Sequence, residues 1–178
     1  MKILAFAASS SKQSINKQLA IHATNILKDQ NDALHAEVID LNDFEMPLFS
    51  LDREAELGQP DLAKAFFKKI GDADAVIISF AEHNGSYTAA YKNLFDWVSR
   101  IDQKVFQGKP MILLSTSPGA GGAKSVLTAA VNSAPFFGAD VKASLSVPSF
   151  FDNFDTDAGA IKDSGFQMKL KDALSALT

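Results

Sequence analysis

Apolar residues gather in five short runs, at residues 3–8, 38–41, 75–80, 111–114 and 141–147, and the segments between them carry helical spacing. Strand and helix signals that alternate in this way predict a parallel α/β sheet. The first, third and fourth runs are apolar at nearly every position, as strands covered on both faces are. The second reads His35-Ala36-Glu37-Val38-Ile39-Asp40-Leu41, and the fifth sets Val141, Ala143, Leu145 and Val147 against Lys142, Ser144 and Ser146. Those two have the character of edge strands.

The intervening helices have readable faces. Ser14 is placed to cap the first, because its hydroxyl can take a free backbone N–H of the opening turn; Ile15, Leu19, His22, Ala23, Ile26 and Leu27 share one face. Residues 60–70 form a second, with Leu62, Phe66 and Ile70 aligned. Thr88 caps a third, whose buried stripe is Tyr91, Leu94, Phe95, Val98 and Ile101. A fourth covers residues 123–134 and a fifth residues 162–177. Residues 43–58 are acidic and broken by Pro47 and Gly58, which predicts a long solvated loop. Phe150, Phe151 and Phe154 follow the last strand; aromatics there pack under the final helix, line a site or meet a second subunit. With the three covered strands central, the expected order is 2-1-3-4-5. This is a flavodoxin-like three-layer sandwich on a five-stranded parallel sheet. No internal repeat or linker divides the 178 residues, so one domain over residues 1–178 is expected.

Composition narrows the chemistry. A formal net charge of −4 with no basic stripe argues against a nucleic-acid partner. Zero Cys excludes thiol catalysis, Cys-ligated zinc and iron–sulfur clusters, and fits a reducing compartment. The apolar stretch at residues 3–8 is shorter than the ~7–15 residues of a signal core, and no run approaches the ~18 residues of a membrane span. The expected location is the cytoplasm, without membrane insertion. His22 and His35 lack ligand-like spacing, and no metal site is expected.

Two loops leave the ends of central strands. The first is Ser9-Ser10-Ser11-Lys12-Gln13-Ser14-Ile15-Asn16, and the second is Glu82-His83-Asn84-Gly85-Ser86. In the expected order they open side by side over the crevice where helices change faces, which is where such sheets bind ligands. A hydroxyl-rich loop entering a helix suits a phosphate, with Ser9, Ser11, Ser14 and Asn16 as donors and Lys12 as a charge; the same residues also serve simply as turn and cap. The Asn-Gly turn can offer backbone groups and the Asn84 amide to a flat polar ring edge, with Gly85 permitting close approach, or it is an ordinary turn. A third loop, Ser115-Thr116-Ser117-Pro118-Gly119-Ala120-Gly121-Gly122, leaves the same sheet edge and suits a ring or a second nucleotide. Neither a P-loop nor a G-x-G-x-x-G fingerprint is present. Together the loops point to FMN.

These motifs resemble the NADPH-dependent FMN reductase family, which includes flavodoxin-like quinone, chromate and azo-dye reductases. The family pattern G-S-x-R-x-x-S-x-N matches residues 8–16, keeping Ser9, Ser14 and Asn16. P-E-Y-N matches Ala81-Glu82-His83-Asn84, and L-K-N-x-x-D-W matches Tyr91-Lys92-Asn93-Leu94-Phe95-Asp96-Trp97. An S-x-G-x-x-G-G-like loop matches residues 117–122, one residue shorter here. Ser11 stands where the family usually has Arg, Ala8 replaces Gly, Ala81 replaces Pro and His83 replaces Tyr. Lys12 is only a point-charge substitute for a bidentate guanidinium, so weaker or reversible FMN binding is expected. Lys92, Asn93, Asp96 and Trp97 sit off the helix stripe and read as caps, surface pairs or, for Trp97, a subunit contact.

The resemblance implies an oxidoreductase in which NADPH or NADH reduces FMN, and the flavin passes electrons to a small acceptor such as a quinone, free flavin, azo compound or metal oxyanion. Ser9, Ser11, Lys12, Ser14, Ile15 and Asn16 would hold the phosphate. Glu82, His83, Asn84 and Gly85 would hold the ring, with Ser117 and Gly119 bordering it. No catalytic acid–base pair is required, although His83 facing the flavin would tie turnover to pH. A homodimer or homotetramer is expected. Two other readings stay open: an electron-carrier flavodoxin, and a family member that has lost FMN.

Overall fold

Alternate residues of the first strand feed two separate cores, which is why nearly every position in it is apolar. The computed structural model describes residues 1–177. The chain begins with β1 (Lys2–Ala8), α1 (Ile15–Gln30), β2 (His35–Ile39), α2 (Leu51–Leu57), α3 (Asp61–Asp72) and β3 (Ala75–Phe80). A small hairpin follows, β4 (Glu82–His83) and β5 (Ser86–Tyr87), then α4 (Ala89–Val98), β6 (Pro110–Thr116), α5 (Lys124–Ser133) and β7 (Asp140–Val147). The last elements are α6 (Phe150–Asn153), a second small hairpin of β8 (Phe154–Asp155) and β9 (Ala160–Ile161), and α7 (Ser164–Ser175).

The main sheet is five-stranded and parallel, in the order β2-β1-β3-β6-β7, the flavodoxin-like order expected. Leu4, Phe6, Val76, Ile78, Met111 and Leu113 pack on one face with residues of α3, α4 and α5. Ile3, Ala5, Ile77, Ile112 and Leu114 pack on the other with α1 and α7. The split follows from the period-2 alternation of side chains along a strand. Phe150 and Phe154 stack at 4.6 Å inside the second core, near Leu170 and Leu174, while Phe151 is exposed.

Three features depart from expectation. Residues 43–58 are not all loop: α2 forms there behind a Ser50 cap, with no buried residue. Its long apolar side chains, Leu51 and Leu57, face outward. Trp97 is wholly buried, and its Nε1 donates to the Pro47 carbonyl at 2.7 Å; it belongs to the core of α4 and is not a subunit contact. In β7, Val141 pairs with Met111 and Ala143 with Ile112, so a bulge intervenes. Val141 therefore faces the first core while Ala143 and Leu145 face the second.

Candidate functional site

The ends of β1, β3 and β6 are in register, Ala8 beside Phe80 and Phe80 beside Ser115. The three loops expected to carry chemistry therefore leave neighbouring strands at one sheet edge. The chain crosses from α1 on one face to α3, α4 and α5 on the other at the β1/β3 seam, the position where open parallel sheets take ligands.

The first loop is wound on itself. Ser11 N–H donates to Ser9 Oγ at 3.2 Å, Gln13 N–H to Ser11 Oγ at 3.3 Å, and Ser14 N–H to the Ser11 carbonyl at 3.2 Å. A hydroxyl that accepts through a lone pair keeps its own proton, so Ser9 and Ser11 remain donors toward a ligand. Ser14 caps α1 by accepting from Lys17 N–H at 3.2 Å. The backbone N–H groups of Lys12, Ile15 and Asn16 meet no acceptor among the described residues. Unpaired amides at the start of a 16-residue helix create a positive local potential that favours negative charge nearby. Lys12 is exposed beside them and forms no ion pair among the described residues.

Asn16 plays a different part from its loop neighbours. It is 2% exposed; its Oδ1 accepts from the Ser79 hydroxyl at 2.8 Å and Thr116 N–H at 3.0 Å, and its Nδ2 donates to the Thr116 carbonyl at 3.1 Å. The side chain fastens α1 to the ends of β3 and β6, which leaves the backbone amide as the group of Asn16 without an acceptor among the described residues. Asn42, which carries no local signal in the sequence, holds the outside of the loop by donating to the Ser10 carbonyl at 3.1 Å. Asn42 is itself fixed by Asp40, which also takes the Lys17 ammonium at 2.6 Å. Lys17, together with the Asn42 N–H groups, holds the Asp40 carboxyl below its ordinary value of 3.8.

The second loop is the tip of the β4–β5 hairpin. Asn84 and Gly85 both take positive φ, 53° and 76°, as a two-residue hairpin turn demands. His83, Asn84 and Gly85 are exposed. Glu82 points the other way, its carboxylate accepting Val126 N–H at 2.9 Å. Thr88 locks the hairpin's exit, donating to the Ala8 carbonyl at 3.0 Å while capping α4 through Tyr91 N–H at 3.2 Å.

The third loop is pressed against the segment after β7. Ser115 and Ser146 hydroxyls both donate to the Gly122 carbonyl, at 2.7 and 2.8 Å, and Ser149 and Phe150 N–H groups donate to the Gly119 and Ser117 carbonyls at 3.0 Å. Gly122 has φ 61°, and a Cβ there would collide with the Ser146 hydroxyl and the Pro148 backbone. Gly119 and Gly121 face open space, with no atom within 4 Å of where a Cβ would sit. Ser117 is half-buried, its hydroxyl donating to the Gly119 carbonyl at 3.1 Å.

A family model described as NADPH-dependent FMN reductase matches residues 1–152. The chain belongs to the NADPH-dependent FMN reductase family. Among known proteins, it is 37% identical over 123 residues to a 2-hydroxy-1,4-benzoquinone reductase of Burkholderia sp, a match covering 68% of this chain and 63% of that protein. It is 33% identical over 125 residues to an NADPH:quinone oxidoreductase of Arabidopsis thaliana, covering 70% of this chain and 62% of the relative. The chain thus spans a little under two thirds of the length of these curated relatives. Among solved structures, FerB from Paracoccus denitrificans, a flavoenzyme NAD(P)H:(acceptor) oxidoreductase, superposes with a TM-score of 0.77 at 23% identity, covering 99% of this chain and 94% of that one. At that identity the likeness speaks to the fold.

Lys92 and Asp96 of the matched helix pair with each other at 2.7 Å, and Asn93 fastens the preceding loop through Phe49 N–H and the Met46 and Pro47 carbonyls. They support this FMN reductase fold from outside the three loops. Among the described residues no helix is long and apolar enough to cross a membrane, and no group of three His, Asp or Glu could hold a metal.

Proposed function

We propose that the chain is a single FMN-binding oxidoreductase domain that takes electrons from NADPH or NADH and gives them to a small acceptor of the quinone type. The observation that carries this reading is the convergence of three loops at the ends of β1, β3 and β6, over a helix start whose amides have no acceptor among the described residues. Bound FMN supplies the redox chemistry; the protein binds, orients and tunes it. Ser9, Ser11, Lys12, Ser14 and the amides of Ile15 and Asn16 hold the phosphate. Backbone groups from Glu82 to Gly85 and the Asn84 amide hold the ring edge, and Ser117 with Gly119 lines its border.

No side chain is asked to act as an acid or base. His83 is exposed at the hairpin and is assigned a modulating role, through its charge beside the ring; a His83→Gln variant with an unaltered pH–rate profile contradicts this. The apolar side chains of Leu48, Leu51 and Leu57, 71%, 69% and 52% exposed, support a homo-oligomer formed through this region. The absence of Cys supports a cytoplasmic location.

The test is anaerobic stopped-flow. NADPH should bleach the FMN-loaded protein, and 1,4-benzoquinone should restore the flavin band over many cycles. An electron carrier would scarcely react with NADPH, and a member that has lost FMN would show no bound flavin band.

A further inference from the structure

A cavity of about 280 Å³ lies between α4 and α5, on the sheet face opposite α1 and α7. Rings of Phe80, Tyr87, Tyr91, Phe95 and Phe137 line it. An apolar cavity of about 150 Å³ takes a benzene molecule, so this one has room for one substituted ring or two fused rings. Tyr91 sits 5.3 Å from Phe80, 5.3 Å from Tyr87 and 5.9 Å from Phe95, edge-on to the first and tilted to the others. Such a wall favours a planar aromatic guest, which gains ring contacts beyond its area burial.

The Tyr91 hydroxyl is the anomaly. The residue is only 6% exposed, yet its hydroxyl has no hydrogen-bond partner among the described residues. Its neighbours differ: the Tyr87 hydroxyl meets Ser133 Oγ at 3.2 Å, and the indole of Trp97 is paired. No fully enclosed side-chain polar atom among the described residues lacks a partner, so the hydroxyl of Tyr91, a residue that lines the cavity, keeps some accessible surface. A polar group in an apolar wall is satisfied by what enters beside it, water or a ligand. Burial, with Tyr87 adding to it, raises the Tyr91 pKa, so the group stays a neutral phenol whose O–H can be donated to an acceptor. The charged residues that line the cavity, Lys92 and Asp96, pair with each other at 2.7 Å, leaving no single charge to attract an ion.

We propose that the cavity between α4 and α5 is a binding site for a neutral one- or two-ring aromatic carbonyl compound, whose oxygen accepts the Tyr91 hydroxyl. The site is distinct from the three loops and does not rest on the flavin reading. It touches them only through Phe80 at the end of β3 and Tyr87 at the end of the hairpin.

Calorimetric titration of the FMN-saturated protein with 1-indanone, and with indane as the same frame lacking oxygen, tests it. Both should bind, the ketone several-fold more tightly, and Tyr91→Phe should remove that advantage, a loss of up to about tenfold, while leaving indane unchanged. Ala130→Leu, which fills the buried wall of α5, should abolish both. The proposal is overturned if neither compound binds, if Tyr91→Phe leaves the ketone's advantage intact, or if the ketone binds only when FMN is omitted, which would put it in the three loops. Should Ala130→Leu fail to fold, the comparison of wild type with Tyr91→Phe decides alone.

Discussion

The carboxylate of Glu82 accepts the backbone N–H of Val126 at 2.9 Å, joining the second loop to the helix that follows the third. α5 needs this, because it begins from Ala123 in a left-handed conformation and has no side-chain cap of its own. A carboxylate at a helix N-terminus satisfies an orphan amide and meets the positive end of the dipole. Glu82→Ala should lower stability by about 1–2 kcal/mol, and Glu82→Gln by less, since it keeps an acceptor and loses the charge. Urea denaturation of the three proteins checks the order.

Asn16 ties three elements with one amide. Asn16→Ala would leave the Ser79 hydroxyl and both backbone groups of Thr116 buried without their partner. Each unpaired group costs about 1–3 kcal/mol, so a loss of roughly 3 kcal/mol or more is expected in the same experiment. A change within about 0.5 kcal/mol, the range for an ordinary surface position, would show that the tie carries little.

The glycines of the third loop should separate folding from binding. Gly122→Ala meets the Ser146 hydroxyl and the Pro148 backbone at a positive φ, and should destabilise by about 1–3 kcal/mol. Gly119→Ala meets nothing, so its melting curve should overlay wild type, while flavin affinity falls if the ring borders this backbone. Thermal melts and flavin titrations of both variants check the pair.

The strand order was legible because burial on both faces leaves an uninterrupted apolar signature, as in Ile3, Leu4, Ala5 and Phe6, and edges do not. Ser14 and Thr88 were legible as caps because a cap is a local interaction. Trp97 was not legible: its indole partner, the Pro47 carbonyl, lies 50 residues away, and its polar neighbours Lys92, Asn93 and Asp96 disguised a core position. The helix α2 escaped notice because it buries no residue and so lacks an amphipathic stripe. Within the site, the loops could be read from their turn chemistry. The inward role of Asn16 and the anchoring by Asn42 depend on contacts between distant segments and left no local trace.

Acid should expose the tie between Asp40 and Lys17. The folded-state pKa of Asp40 lies below its ordinary value of 3.8, so its contribution is fully present above that value and is lost as pH falls through the lowered one. Between about pH 6 and about pH 2, wild type should therefore lose more stability than Asp40→Asn, which cannot ionise. Equal losses would mean the pair does not couple to folding.

The unpaired amides at the start of α1 should make the first loop a phosphate site, and on this the flavin reading turns. Fluorescence titration with FMN and with riboflavin, which lacks the phosphate, tests it on one protein, and Ser11→Arg adds a bidentate donor where the family usually has one. FMN should bind, riboflavin should bind at least about tenfold more weakly, consistent with losing charge-assisted hydrogen bonds, and Ser11→Arg should tighten FMN alone. Equal affinity for the two flavins, or no uptake of FMN, would contradict it.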